Sequence, residues 1–317
     1  VKTRAEIERV FSSNHKRYLL NLEKIKESIV TTELTTDDVW EMKLLEDQYD
    51  ESPIRTGASF WDELVGSLRK GNLYVLAGYP GAGKTTLAAQ LAWGVAKQGK
   101  KVWFYCLELK PTEVLEVLVG HIRGNAQPTE EDYAVGCTLA QNSGFMFFDS
   151  RNYKRWEDHL ENIVQGIKKS HYELIVIDNF HFLTRVSKNG FEVEGVVSQR
   201  LKVLSQECNV PILLIHHLRK PDGDGQEAEP SVHALRGSSA LLNDASAVVL
   251  LHHPIMDSEG EAEGERHPVG KLRYAKARWG KGGTRYVQLV GVERRYEQAY
   301  SEQYIGPRRG GRRLKHA

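Results

Sequence analysis

Cysteine, an excess of either charge and long apolar runs are all scarce in this chain, and each shortage excludes something. Only three cysteines occur in 317 residues, Cys106, Cys137 and Cys208, and no two stand in a CxxC spacing. A four-thiol zinc finger cannot be built from them, and buried free thiols in a reducing compartment are the plain expectation. No stretch approaches the roughly eighteen consecutive apolar residues of a membrane-spanning helix. The opening residues Val1-Lys2-Thr3-Arg4-Ala5-Glu6 hold no apolar signal core, so a cytoplasmic protein is expected, with a natural start further upstream. Lys plus Arg number 43 against 42 Asp plus Glu, a formal charge of +1. Any positive surface must therefore be local, on loops or at a tail. No HExxH pattern is present, and His252-His253 read as ordinary surface residues with no metal to hold.

What remains is the composition of an ordinary soluble protein, with 40% hydrophobic and 27% charged residues, long enough for a sizeable core. Residues 1 to 55 read as helices and linker. Ile7, Val10 and Phe11, then Leu19, Leu22, Ile25 and Ile29, recur at helical spacing; Val39, Trp40, Met42, Leu44 and Leu45 follow behind a possible Thr36-Asp37-Asp38 cap. Helices this short bury little alone, so they pack on the main domain or on a neighbouring subunit.

From Gly57 the pattern changes to short apolar runs alternating with helical segments. Strands are expected at 72–77, 101–107, 145–149, 174–178, 210–216 and 247–251, with helices at 85–96, 111–119, 156–169 and 194–207. That alternation predicts an α/β fold with a mostly parallel sheet. Segments 271–277 and 285–290, split by Gly282-Gly283, predict a terminal β-hairpin. The run from Pro307 is rich in Gly and Arg and is expected to be a disordered tail. The domain reading is a helical linker region over 1–55, a main α/β domain over 56–300 and a basic tail over 301–317.

Between the first strand and the first of these helices, Gly78-Tyr79-Pro80-Gly81-Ala82-Gly83-Lys84-Thr85 satisfies GxxxxGK[ST] in full. Glycines let the loop wrap a polyanion with its amides inward, and the helix N-terminus, through Thr86, adds unpaired donors. Lys84 is suited to neutralising β and γ phosphates, and Thr85 to giving an oxygen to Mg²⁺. ATP with Mg²⁺ is thus the expected ligand. Asp178 ends the 174–178 strand, where a carboxylate can reach the same metal. Glu108 ends the 101–107 strand, where it can polarise a water aimed at the γ-phosphate.

The ordered set Thr56-Gly57, the P-loop, Glu108 and Ile177-Asp178-Asn179-Phe180-His181-Phe182-Leu183 resembles the RecA-like core of DnaB-type hexameric replicative helicases. Leu214-Ile215-His216-His217-Leu218-Arg219-Lys220-Pro221, Leu235-Arg236-Gly237-Ser238-Ser239-Ala240-Leu241 and Lys276-Ala277-Arg278-Trp279-Gly280 are similar to the helicase half of phage primase-helicases. The resemblance covers roughly residues 55 to 290. It implies a RecA-like P-loop NTPase with a C-terminal hairpin and a short N-terminal helical extension. It further implies an ATP-driven ring, hexameric, that moves 5′ to 3′ on single-stranded DNA. A primase or a helicase loader is an implied partner.

By the same resemblance His217, or His216 beside it, matches the polar sensor of the γ-phosphate. Arg278 matches an arginine finger that reaches a neighbour's ATP, with Lys276 beside it. Trp279 and Tyr286 are candidates to touch adenine. Arg185, Lys188, Arg219, Lys220, Arg236, Gly237 and Ser238 are the candidate DNA contacts. Two departures stand out. Where the family often has an arginine before the last hairpin this chain has His252-His253-Pro254, and the acidic run 257–265 follows. The competing readings are another RecA-like DNA-dependent ATPase without unwinding, or a nucleotide-gated replication regulator.

Overall fold

Strands that are apolar on both faces have to be covered from both sides, and the sheet is arranged accordingly. The computed structural model describes residues 36–37, 39–40, 54–149, 155–184, 190–218, 228–235, 239–256, 266–278 and 282–304. The chain divides into two units, Val1–Ser52 and Pro53–Ala317. In the first, Thr36, Asp37, Val39 and Trp40 are helical and exposed; the other helices expected there lie outside the described residues, as does the Gly- and Arg-rich run from Pro307.

The second unit holds one nine-stranded sheet. Six strands are mutually parallel: β1 (Leu73–Gly78), β2 (Val102–Cys106), β3 (Phe145–Asp149), β4 (Leu174–Asp178), β5 (Ile212–His217) and β6 (Ala247–His252). Three more, β7 (Val269–Ala277), β8 (Gly283–Val290) and β9 (Arg295–Ala299), continue antiparallel from β6. The order across the sheet is β3-β2-β4-β5-β1-β6-β7-β8-β9. This is the RecA-like arrangement.

The α-helices described in this unit are α1 (Ser59–Val65), α2 (Lys84–Ala96), α3 (Pro111–Arg123), α4 (Glu130–Asn142), α5 (Trp156–Lys169), α6 (Phe180–Thr184), α7 (Gly190–Glu207) and α8 (Ser239–Asp244). Strand side chains alternate between two cores. Leu76, Phe104, Val176, Leu213 and Val249 pack with Leu87, Leu91 and Val95 of α2 on one face. Val75, Tyr105, Ile177, Leu214 and Leu250 pack with Ile163 of α5 and with Val197 and Leu201 of α7 on the other. The first core also seats Trp61 of α1. Gly94 permits that docking: a Cβ there would lie 1.6 Å from the Thr56 carbonyl oxygen.

Expectation and structure agree at β3, β4 and α5, bound for bound, and differ elsewhere for identifiable reasons. The expected terminal hairpin is present as β7 and β8, and β9, unforeseen because its sequence is mostly polar, extends it to a three-stranded ribbon with Tyr296 and Ala299 buried. Helix α4 buries only Gly136 and Ala140, too few for an apolar period to show, but its Thr129/Asp132 capping box was readable. Of the cysteines only Cys106 is buried; Cys137 and Cys208 are partly exposed. His252 and His253 are core residues and not surface ones, at 1% and 3% exposure.

Burial has a consequence for acid stability. It pushes His121 down to about 4, His216 down to about 3 and His253 down to about 4. Each ring stays neutral in the fold while its unfolded counterpart gains a proton below about pH 6.5, so stability is full above that value and falls as pH drops toward the folded pKa. The loss is about 1.4 kcal/mol per pH unit for each ring. Denaturant titrations at two pH values should show the three together costing about 3–4 kcal/mol between about pH 7 and pH 5.5. Replacing His253 with Gln should flatten that slope by about one third.

Candidate active site

In a parallel sheet the C-terminal ends of neighbouring strands meet at one edge, and here β1, β2, β4 and β5 bring their last residues together. The P-loop leaves β1 at Gly78 and enters α2 at Lys84. Gly81 and Gly83 hold positive φ angles of 75° and 81°, a region that favours glycine. Gly83 is further constrained from below, since a Cβ there would lie 2.1 Å from the Tyr296 hydroxyl. That hydroxyl donates to the Ala82 carbonyl at 3.1 Å, and Gln90 of α2 holds the Tyr296 backbone through its N–H and C=O. Strand β9 thus forms the floor of the loop.

Lys84 is 4% exposed, and its Nζ donates to the Tyr79 carbonyl at 2.9 Å. Thr85 Oγ1 donates to Asp178 Oδ2 at 2.6 Å. Asp178 is buried, and burial pushes its carboxyl up to about 6 against the Thr85 hydrogen bond. Its Oδ1 is buried with no hydrogen-bond partner among the described residues. A buried, unsatisfied carboxylate oxygen beside a threonine hydroxyl is a hard-oxygen pair that fits Mg²⁺.

Glu108 follows β2 and is tied by its backbone: Leu107 and Glu108 N–H both donate to the Asp178 carbonyl, at 2.7 and 3.2 Å. Its Oε2 accepts from His217 Nε2 at 2.9 Å and from Asn179 Nδ2. The His217 bond holds Glu108 below the usual carboxylate range, against burial that pushes it up. His217 Nδ1 lies 3.4 Å from Lys84 Nζ. An ammonium can only donate, so the ring accepts at Nδ1 and carries its proton at Nε2. His217 therefore stands between lysine and glutamate. His216, the other candidate, is 6% exposed and its ring packs 5.9 Å from Phe180 on the opposite face. Strand alternation, not chemistry, separates the two.

The remaining predicted residues lie elsewhere. Pro80 and Gly81 are exposed at the loop's crown, and Thr86 is in the first turn of α2. Lys276 and Arg278 are at the far edge of the sheet: Ala277 pairs with Ala247, at the start of β6, whereas Gly78 pairs with Leu251 near its end. Four strand residues separate the two levels, about 13 Å along the strands. Lys276 Nζ donates to the Asn243 carbonyl at 3.0 Å and to that of Leu242; Arg278 is exposed, its backbone N–H bonded to Ser246 O at 3.2 Å. Tyr286 packs against Tyr304, ring centres 5.3 Å apart. The candidate DNA contacts Arg185, Lys188, Arg219, Lys220, Arg236, Gly237 and Ser238 lie outside the described residues, as do Trp279 and the run 257–265.

Besides Tyr296, two residues escaped the sequence reading. Asn179 stood inside a quoted motif without a role. Arg266 directly follows the acidic run and reaches back to the P-loop. Its Nη2 donates to the Pro80 carbonyl and its Nη1 to that of His253, both at 2.8 Å. An arginine thus touches the loop after all, supplied from further along the chain than the His252-His253-Pro254 segment.

The family described as DnaB-like helicase C terminal domain matches residues 53–298. This chain belongs to that family. It is 26% identical over 267 residues to the replicative DNA helicase DnaB of Geobacillus stearothermophilus, covering 78% of this chain and 58% of the relative. It is also 26% identical over 235 residues to a probable plasmid replicative DNA helicase of Chlamydia psittaci, covering 69% and 51%. The chain thus spans a little over half the length of these relatives. Among solved structures, a DnaB-like replicative helicase studied with primase superposes with a TM-score of 0.68 at 19% identity, covering 92% of this chain and 76% of that one. A separately solved ATPase domain gives 0.69 at 18% identity, covering 84% and 100%. The RadB recombinase gives 0.52 at 18% identity, covering 78% and 100%. These likenesses establish the fold. No described helix is long and apolar enough to cross a membrane.

Proposed function

We propose that this chain is the ATP-hydrolysing motor of a replicative DNA helicase, working as a ring, most simply a hexamer, that moves 5′ to 3′ along single-stranded DNA. The observation that supports this best is the split of the machinery between two edges of one sheet. Lys84, Thr85, Asp178, Glu108 and His217 meet at one edge, while Arg278 stands exposed at the other. A finger placed there serves a neighbour's nucleotide and not its own, so the site is completed by assembly. Residues 56–300 form the ATPase domain in this reading, 1–55 a helical linker between subunits and 301–317 a tail.

In the reaction the P-loop amides and the start of α2, with Thr86, cradle the phosphates of ATP. Lys84 exchanges its Tyr79 carbonyl for phosphate oxygens. Thr85 and Asp178 would hold Mg²⁺, which when bound would neutralise charge on the β and γ phosphates. Glu108 orients and deprotonates the attacking water. His217, in contact with both Lys84 and Glu108, reports the γ-phosphate to the segment that follows β5, where Arg219 and Lys220 stand in sequence. Arg185, Lys188, Arg236, Gly237 and Ser238 supply further DNA contacts, and a primase or loader is the partner. The recombinase reading has the weaker fold likeness, with a TM-score of 0.52 against 0.69.

The test is steady-state ATP turnover by the assembled chain with and without single-stranded DNA, alongside unwinding of a forked duplex with a 5′ tail. DNA-stimulated turnover with strand separation is the expected result. Turnover indifferent to DNA would sink the motor, and stimulation without separation would favour the recombination-type ATPase.

A further inference from the structure

Asn179 occupies a position where one side chain serves two neighbours. It is 1% exposed and lies between Asp178, the last residue of β4, and Phe180, the first of α6. Its Oδ1 accepts the Phe182 backbone N–H at 3.3 Å, capping α6. A carboxamide with its oxygen committed in this way has no choice of flip, and Nδ2 is left to donate to Glu108 Oε2. Glu108 Oε2 also receives the His217 Nε2 proton at 2.9 Å. Two donors on one oxygen fix the plane of the carboxylate, and Oε1 is the oxygen that neither of them occupies. Glu108 is partly exposed, with 33% of its side chain open to solvent. The backbone bonds from Leu107 and Glu108 to the Asp178 carbonyl fix its main chain and leave the side-chain torsions to those two donors.

We propose that Asn179 is a positioning residue that orients Glu108 so that Oε1 faces the attacking water. The inference rests on the ATPase reading above and adds to it the residue that aims its base. The merely structural alternative is that Asn179 caps α6 and nothing more. The two separate cleanly in Asn179→Asp, since aspartate caps as well as asparagine but offers Glu108 a like charge in place of a donor.

The experiment compares wild type, Asn179→Asp, Glu108→Gln and the double variant, reading kcat, KM for ATP, binding of a fluorescent ATP analogue and the thermal midpoint of each. For Asn179→Asp we expect kcat lower by about 10- to 100-fold, as small misplacements of reacting groups cause, with KM and analogue affinity within about twofold of wild type. Its thermal midpoint should fall by about 2–4 °C. The midpoint should recover in the double variant, where the introduced glutamine donates to the introduced aspartate in a reversed pair while kcat stays low. Wild-type kcat in Asn179→Asp, beside an inactive Glu108→Gln, overturns the positioning role alone. So does a defect confined to KM, or a midpoint not recovered in the double variant. A wild-type assembly that does not hydrolyse ATP overturns the parent reading and this one with it.

Discussion

Glu108→Gln should lower kcat for DNA-stimulated ATP hydrolysis by about 10²- to 10⁴-fold, the range that a positioned general base contributes. Nucleotide binding should survive. Glutamine keeps the shape of glutamate and can still accept from His217 and Asn179, so the surrounding contacts need not move. The groups proposed to hold the phosphates do not pass through Glu108: Lys84 is anchored on the Tyr79 carbonyl, and Thr85 pairs with Asp178. What is lost is a carboxylate that the His217 bond keeps below the usual carboxylate range. Single-turnover hydrolysis and analogue binding, measured on one preparation, check both halves. Tight binding with near-normal turnover would move the base elsewhere, and Asp178, whose carboxyl feels the Glu108 charge, would be the first to replace. A parallel loss of binding would mean that Glu108 supports the fold of the loop and not the chemistry.

Much of this site was readable because phosphate binding by a P-loop is local chemistry. Glycines at 81 and 83 are required by their own backbone angles, and Lys84 and Thr85 follow at fixed offsets. Asp178 and Glu108 were visible as carboxylates ending apolar strands, and the parallel sheet carried both to the P-loop edge. Where the reading ran out, the deciding fact was long-range. His216 and His217 are indistinguishable in a string of residues, and only the parity of β5 against β1, with Gly78 opposite His217, puts one at the loop and the other in the core. Tyr296 lies 213 positions after Gly83, in a strand whose sequence is mostly polar. Its burial under the P-loop depends on β9 docking on α2 through Gln90. His252 and His253 looked like surface residues because the ribbon that covers them is contributed from beyond the acidic run. Gly270 makes room there, since a Cβ would fall 2.4 Å from the His253 ring.

The opposite-edge placement of Arg278 predicts a larger effect, and one that a single-subunit enzyme could not show. Arg278→Ala should reduce kcat by about 10³-fold or more, as removal of an arginine finger does. Lys84→Ala should be inactive through loss of phosphate binding. If the finger acts on a neighbour, the two dead variants complement each other. An Arg278→Ala subunit brings an intact P-loop, and a Lys84→Ala subunit next to it brings an intact finger. Random co-assembly at equal concentrations makes about a quarter of the interfaces complete, so mixed rings should regain turnover that neither variant has alone. Within one subunit the register forbids the alternative, because Ala277 pairs with Ala247 at the far end of β6 while the P-loop starts beside Leu251. Lys276 adds a condition. Its Nζ is held by the Asn243 and Leu242 carbonyls at the end of α8. It must leave that cap if it is to reach a phosphate across the interface, so Lys276→Ala should cost less than Arg278→Ala and should not be complemented more efficiently. Mixtures that stay as inactive as their components, in preparations shown to exchange subunits, would place the finger on another arginine. Arg266, already bonded to the Pro80 carbonyl of its own loop, would be the first to replace.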